Sequence, residues 1–170
     1  YNENIFYLPK SNYKYKDTVF IGVCGWWDYN NKDMISIQEN LNYFSDWIKD
    51  FKEDDNLEFI NNVIRKSEKE YEHLKYLIDI YNKDEYIKNI IVVSHTIPLF
   101  EMLKDSNDKS NEKSNGTNNK FKGLIDNNQK ISHWIFGHTH EQIDFTYNNI
   151  KFICHPRGRP EDYDREDYNL

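Results

Sequence analysis

The chain is organised around a short apolar run that ends in two histidines, Trp134-Ile135-Phe136-Gly137-His138-Thr139-His140. An earlier stretch has the same design, because an apolar run leads directly into one histidine in Ile90-Ile91-Val92-Val93-Ser94-His95. Such short apolar runs are typical of buried strands. In open α/β sheets, functional groups gather at the carboxyl ends of the strands. The two stretches therefore predict neighbouring strands that deliver histidines to one edge of a sheet.

The rest of the sequence predicts a layered α/β domain with a mixed sheet, since strand patterns alternate with helical patterns. Apolar runs predict strands at 4–8, 17–24, 89–94 and 132–136, the first two joined by a polar turn at 10–12. Apolar residues at helical spacing predict helices at 36–50 and 57–81. Short helices are also expected at 98–102, opened by Pro98, and at 121–128. Two alternating segments, 142–147 and 150–153, predict an antiparallel hairpin that turns at Asn148-Asn149.

The length of 170 residues suits a single domain, residues 1–170. A stretch at about 104–120, rich in Asn, Lys, Ser and Asp, predicts a flexible surface loop. The first residue is Tyr rather than Met, and the chain opens directly on a predicted strand. We therefore expect either a fragment or a chain with a processed start.

Net charge, cysteine content and hydropathy limit the kinds of molecule that the protein is expected to bind and the compartment in which it is expected to occur. A net charge of −7 argues against a general nucleic-acid-binding surface, yet it permits a phosphorylated substrate if bound metal supplies positive charge. Two cysteines make no disulfide framework, which favours a cytoplasmic protein. No apolar run approaches the length of a membrane span, and nothing resembles a signal peptide, so no membrane association is expected.

The histidines suit metal binding, because a neutral imidazole is the commonest protein ligand for transition metals. In His138-Thr139-His140 the two rings are one residue apart, and Gly137 is expected to provide the turn that lets them diverge toward two ions. Taken alone, an H-x-H pair is weak evidence for a metal site, and a single histidine after a strand is weaker.

The order and spacing of these segments resemble the last two motifs of the calcineurin-like metallophosphoesterases, a strand followed by His and a later G-H-x-H. The segment Phe152-Ile153-Cys154-His155-Pro156-Arg157-Gly158 also resembles the stretch after G-H-x-H in one bacterial and viral branch, where an Asn usually stands in the position of His155. The resemblance covers roughly residues 1–165. It implies a layered α/β/β/α sandwich with a mixed sheet, incomplete at its amino-terminal side.

By that resemblance, His95 and His138 bind one divalent cation and His140 binds the neighbouring one. The implied ions are Mn, Fe or Zn, and the implied reaction is hydrolysis of a phosphomonoester or phosphodiester by an activated water. Arg157 and Arg159 either help to hold phosphate or pin the carboxyl-terminal turn.

The sequence departs from the family in lacking its first three motifs, D-x-H, G-D-x-x-D and G-N-H followed by an acid. Asp28 and Asp144 are spare acids, but neither lies in a matching motif. Two close cations need a bridging carboxylate, which neutral imidazoles do not provide. We therefore expect the chain alone to be inactive, with its general acid and bridging carboxylate unidentified and the missing half of the domain as its partner.

Two rival hypotheses remain: a catalytically inactive phosphoesterase-like interaction module, and a mononuclear zinc site built on three histidines. Other residues have a functional and a structural interpretation. Trp26 and Trp27 either line a substrate cleft or cap the core under a loop, and the second is the stronger expectation. Structural roles are expected for His73 and His133. His155 has both a functional and a structural interpretation, and its distance from G-H-x-H favours the structural one.

Overall fold

The computed structural model of the protein describes residues 5–43, 56–103, 116–139 and 142–156. These residues contain a six-stranded sheet in the order β1-β2-β3-β4-β6-β5. The strands are β1 Tyr13–Tyr15, β2 Thr18–Gly22, β3 Asn89–Val93, β4 Ile131–Ile135, β5 Ile143–Tyr147 and β6 Ile150–Cys154.

Strands β2, β3, β4 and β6 run parallel to one another, while β1 and β5 are antiparallel to their neighbours at the two edges. The predicted mixed sheet is therefore confirmed. The carboxyl-terminal hairpin is also confirmed, because β5 and β6 pair around Asn148 and Asn149, both with positive φ. Asparagine tolerates that backbone conformation, which the tight turn requires.

Within the described ranges, three right-handed helices accompany the sheet: α1 Met34–Tyr43, α2 Asn56–Lys83 and α3 Phe121–Asp126. Short 3₁₀ turns occur at Leu8–Lys10 and Phe100–Leu103. The prediction of a long helix at 57–81 is confirmed, whereas residues 44–50 of the helix predicted at 36–50 lie outside the described residues. Among the helices that the structure describes, none is long and apolar enough to cross a membrane.

One face of the sheet packs against α2 and α3 to form the main core. Leu74, Leu77 and Ile78 of α2 are buried against alternate residues of the strands, such as Ile21 and Val92. Alternate residues of a strand point to opposite faces, so these strands bury one set of side chains under the helices. A smaller second cluster lies around Tyr29, Ile60 and Val63, and both Trp26 and Trp27 pack against it.

The opposite face of the sheet is only partly covered. Phe20, Ile91, Val93 and Ile153 are partly exposed, and Ile135 keeps 39% of its surface exposed. They lie beside one another across β2, β3, β4 and β6. Parallel sheets normally have both faces covered. This apolar face is therefore more exposed than the face that packs against α2 and α3.

The strand predicted at 4–8 and the turn predicted at 10–12 are wrong. Residues 5–8 form no strand; the edge strand is β1, and its turn to β2 lies at Lys16 and Asp17 rather than at 10–12. The sequence Tyr13-Lys14-Tyr15 of β1 contains no apolar run that would mark it as a strand. The surface loop predicted at 104–120 lies outside the described residues up to 115, but Thr117 and Asn118 are buried.

A left-handed helical turn, Tyr29–Lys32, follows the loop after β2. All four of its residues have positive φ, from 52 to 66°. Each such residue costs about 1–2 kcal/mol unless it is Gly, Asn or Asp. Complete burial of Tyr29 in the second cluster, together with the tolerance of Asn30 and Asn31 for this conformation, offsets that cost.

Replacement of Trp134 by alanine tests the main core. The indole is fully buried, with ring centroids 5.4 Å from Phe121 and 6.3 Å from Phe152. We expect Trp134→Ala to lower the free energy of unfolding by about 3–5 kcal/mol, measured by urea denaturation. Tyr86→Ala, at a side chain that is 87% exposed, should change it by less than about 0.5 kcal/mol. Equal effects of the two variants would contradict this placement of the core.

Candidate functional site

The structure brings His95 and His138 together at the carboxyl edge of the sheet. The distance from His138 Nδ1 to His95 Nε2 is 3.3 Å. The two rings are nearly perpendicular, with an interplanar angle of 87° and centroids 5.2 Å apart. Two ring nitrogens from residues 43 positions apart in the sequence thus face each other at close range.

Parallel pairing of β3 and β4 explains this proximity. Val93 and Ile135, the last residues of the two strands, are register partners. The ladder continues beyond them, since the Ser94 N–H donates to Ile135 O at 2.9 Å and the Gly137 N–H donates to His95 O at 2.9 Å. The backbones that carry the two histidines are therefore held side by side.

The turn after β4 is made by His138 itself. His138 has a φ of 72°, whereas Gly137 does not have a positive φ. Across this residue the Thr139 N–H donates to Gly137 O at 2.9 Å, which closes a three-residue turn of the strained kind, with φ near about +75°. The expectation that Gly137 provides the turn is wrong, and the strain lies on a candidate ligand, as is common at functional sites.

The third candidate, His140, lies outside the described residues. In the part of the chain that the structure describes, no three His, Cys, Asp or Glu side chains are grouped closely enough to hold a metal ion. Two of the three predicted ligands are therefore placed together, and the ligand roles of all three stay a prediction.

A network of hydrogen bonds ties the loops at this edge to the core. The Trp134 Nε1–H donates to Ser94 Oγ at 2.9 Å, and that hydroxyl donates to Thr96 O at 2.9 Å. The Thr96 hydroxyl donates to Gly25 O in the loop after β2. The sequence patterns did not single out Ser94 and Thr96, although their place beside His95 after a buried strand marks them as residues that can fix its backbone.

Neither of the spare acids joins the histidine pair. Asp28 is buried, and its carboxylate accepts the Asn119 backbone N–H at 3.2 Å. Burial raises its pKa, while hydrogen bonds from the backbone of Asn31 and Asn119 and the charge of Lys120 oppose that rise. Asp144 forms an ion pair with Lys151 at 3.1 Å on the exposed hairpin. Asp28 therefore anchors the returning segment at 116–120 to the loop after β2.

The structure describes five of the remaining candidate residues, two tryptophans and three histidines. Trp26 and Trp27 are partly buried against the second cluster, which confirms their core-capping interpretation. His73 is exposed on α2, and His133 lies within β4 with its Nδ1 3.0 Å from Ser132 Oγ. His155 is exposed after β6. Arg157 and Arg159 lie outside the described residues.

Partial burial lowers the pKa of His95 below its usual value. A neutral imidazole at neutral pH has a free lone pair, which is the form that binds a metal. Two facing imidazole nitrogens can bind one cation or share one proton.

No protein-family model matches the chain, and no curated protein or solved structure matches it either.

Two glycine substitutions test how tightly the loop after β2 is packed. Gly25 has a φ of +80°, and a Cβ there would lie 2.6 Å from Thr96 Oγ1. We expect Gly25→Ala to lower the free energy of unfolding by about 2 kcal/mol or more. A Cβ at Gly123 in α3 would meet nothing within 4 Å. Gly123→Ala should therefore stabilise the protein by roughly 0.5–1 kcal/mol. Thermal unfolding of both variants measures the difference, and a Gly25→Ala protein as stable as the wild type would refute the close packing.

The lowered pKa of His95 predicts a pH dependence. Because the folded protein holds a proton on this ring less readily than the unfolded chain does, stability falls as pH drops from about 6.5 toward the folded pKa. An NMR titration of the imidazole carbons in a chelator-treated sample should give a His95 pKa below about 6.5. His95→Asn should remove this contribution to the pH dependence of unfolding. A folded pKa at or above the usual value would reverse the predicted slope.

Proposed function

We propose that this chain is the carboxyl-terminal part of a calcineurin-like metallophosphoesterase that hydrolyses phosphomonoesters or phosphodiesters. In this proposal His95 and His138 hold one divalent cation, Mn, Fe or Zn, and His140 holds a second. The observation that carries it is the separation of 3.3 Å between His138 Nδ1 and His95 Nε2.

That separation suits two ligands of one ion. Imidazole nitrogens at about 2.0–2.1 Å from a tetrahedral metal lie roughly 3.3–3.4 Å apart. A direct N–H···N hydrogen bond between the two rings is the alternative, since the same 3.3 Å also falls within hydrogen-bond range. The lowered pKa of His95 favours its neutral, metal-binding form. The donor set therefore fits a transition metal.

The partly exposed face of the sheet supports the proposed architecture. In an α/β/β/α sandwich, a second sheet packs on the face that the helices leave free. Phe20, Ile91, Val93, Ile135 and Ile153 form an apolar surface of that kind across four neighbouring strands. We propose that the amino-terminal half of the domain covers this face and supplies the acids of the family's first three motifs, which this sequence does not contain.

The chemistry that two bound cations supply is polarisation of a phosphoryl oxygen and a lowered pKa of a water molecule. The chain itself holds the two imidazoles at the end of a rigid sheet. Two backbone hydrogen bonds orient His95: its N–H donates to Cys24 O, and its C=O accepts the Gly137 N–H.

Metal titration of the chain tests the proposal. Binding of Mn²⁺ and Zn²⁺ is measured by calorimetry and by competition with a chromophoric chelator. We expect His95→Asn and His138→Asn to weaken binding by roughly 100-fold or more, since changes in outer-shell groups alone cost about 10–100-fold. His73→Asn, at an exposed histidine on α2, is the matched control and should bind as the wild type does.

The stoichiometry and activity separate the rival functions. Joined to the coding segment upstream of Tyr1, the chain should bind two ions and hydrolyse p-nitrophenyl phosphate or its diester. One tightly held zinc with tetrahedral geometry and no hydrolysis would indicate the mononuclear site. Absence of metal uptake with that segment restored would overturn the proposal in favour of the interaction module.

A further inference from the structure

The carboxylate of Glu70, on α2, accepts three consecutive backbone N–H groups from the loop after β2. Glu70 Oε1 accepts the Cys24 N–H at 3.2 Å, and Oε2 accepts the N–H groups of Gly25 and Trp26, each at 2.8 Å. Successive N–H groups that converge in this way form a concave anion site. The left-handed backbone of Gly25, with φ +80°, lets its neighbours point at the same oxygen. One helix side chain thus occupies a complete backbone anion site.

The same two peptide groups that bind Glu70 also hold the His95 segment. In the peptide between Cys24 and Gly25, the N–H donates to Glu70 while the C=O accepts the His95 N–H at 3.0 Å. In the next peptide, the Trp26 N–H donates to Glu70 and the Gly25 C=O accepts the Thr96 hydroxyl. The N–H and C=O of a trans peptide point in opposite directions. Rotation of either peptide would therefore break its bonds on both sides.

We propose that Glu70 is a positioning residue for the candidate metal site. Its carboxylate sets the orientation of two peptides, and their carbonyls hold His95 at its backbone N–H and Thr96 at its hydroxyl. His95 is then held from both sides, because its own C=O accepts the Gly137 N–H at 2.9 Å. The consequence for metal binding rests on the proposed function, whereas the consequence for the His95 ring does not.

The three N–H groups require an acceptor at each of their contacts. In Glu70→Gln one oxygen becomes an NH₂ group, which cannot accept a hydrogen bond from a backbone N–H. In Glu70→Ala all three donors lose their partner and face an empty anion site. Glu72→Gln is the matched control, since Glu72 is exposed on the same helix.

Zn²⁺ affinity and His95 NMR signals are measured for all four proteins. We expect Glu70→Gln to bind Zn²⁺ about tenfold more weakly and Glu70→Ala up to about 100-fold more weakly, the range typical of outer-shell groups. In the metal-free proteins, the imidazole nitrogen signals of His95 should shift in both Glu70 variants and stay in place in Glu72→Gln. Circular dichroism and thermal unfolding verify that each variant is folded; if Glu70→Ala is not, Glu70→Gln alone decides.

Formate provides a second test, because it can replace the missing carboxylate. Added formate should restore Zn²⁺ affinity and the His95 signals in Glu70→Ala, while chloride at the same ionic strength should not. A role limited to helix packing would not be rescued by a free anion.

The outcomes separate this inference from the proposed function. If the wild type binds Zn²⁺ and the folded Glu70 variants keep the same affinity and the same His95 signals, the role of Glu70 is refuted and the metal site stands. If the wild type binds no Zn²⁺, the proposed function fails in this chain, and the metal-free signals decide: a formate-reversible shift of His95 supports the positioning role, and its absence refutes it.

Discussion

Parallel pairing of β3 with β4 is the constraint on which the site depends. The two strands end together at Val93 and Ile135, and the ladder then runs on into the residues after them. Because the backbone hydrogen bonds continue past the strands, the register of β3 and β4 also sets the relative positions of His95 and His138. The spacing of their ring nitrogens is therefore a property of the sheet rather than of two independent loops.

The loops above the strand ends are held by the core below and by helix α2 beside them. The Trp134 indole reaches Ser94 from inside the core, and Glu70 holds the loop after β2 from the helix. This layer also contains a strained backbone position, since His138 has a positive φ. Many hydrogen bonds over-determine this arrangement, which is the condition under which strained residues persist. The site is thus preorganised by both the sheet and the helix layer.

Sequence patterns predicted the elements whose residues bury one clear face. Helix α2 and the strands β2, β3 and β4 carry apolar residues at regular spacing, so hydrophobic periodicity identifies them. Other features depend on a packing partner rather than on the apolar pattern of their own segment. Strand β1 consists of Tyr and Lys and is a strand because β2 supplies its hydrogen bonds. Thr117 and Asn118 are buried because the loop after β2 provides partners, including Trp26 O for the Asn118 amide at 3.0 Å.

The sequence likewise predicted only part of the candidate site. Its histidines stand out in the sequence because each follows a buried strand, and that local pattern alone placed His95 and His138 at one edge of the sheet. The turn at His138 could not be foreseen, since a glycine beside it is the more obvious place for a change of direction. Glu70 was also missed, because its neighbours in the sequence are the charged residues of an ordinary solvated helix face.

The sequence by itself determined an α/β domain with a mixed sheet, its long helix and carboxyl-terminal hairpin, and which histidines leave the ends of its strands. These follow from the periodicity of apolar residues, a property of neighbours along the chain. Only the tertiary structure decided that two ring nitrogens meet at 3.3 Å, that one sheet face stays partly exposed, and that Glu70 fills a backbone anion site. Those features depend on strand register and on contacts between segments more than 40 residues apart, which no local pattern encodes.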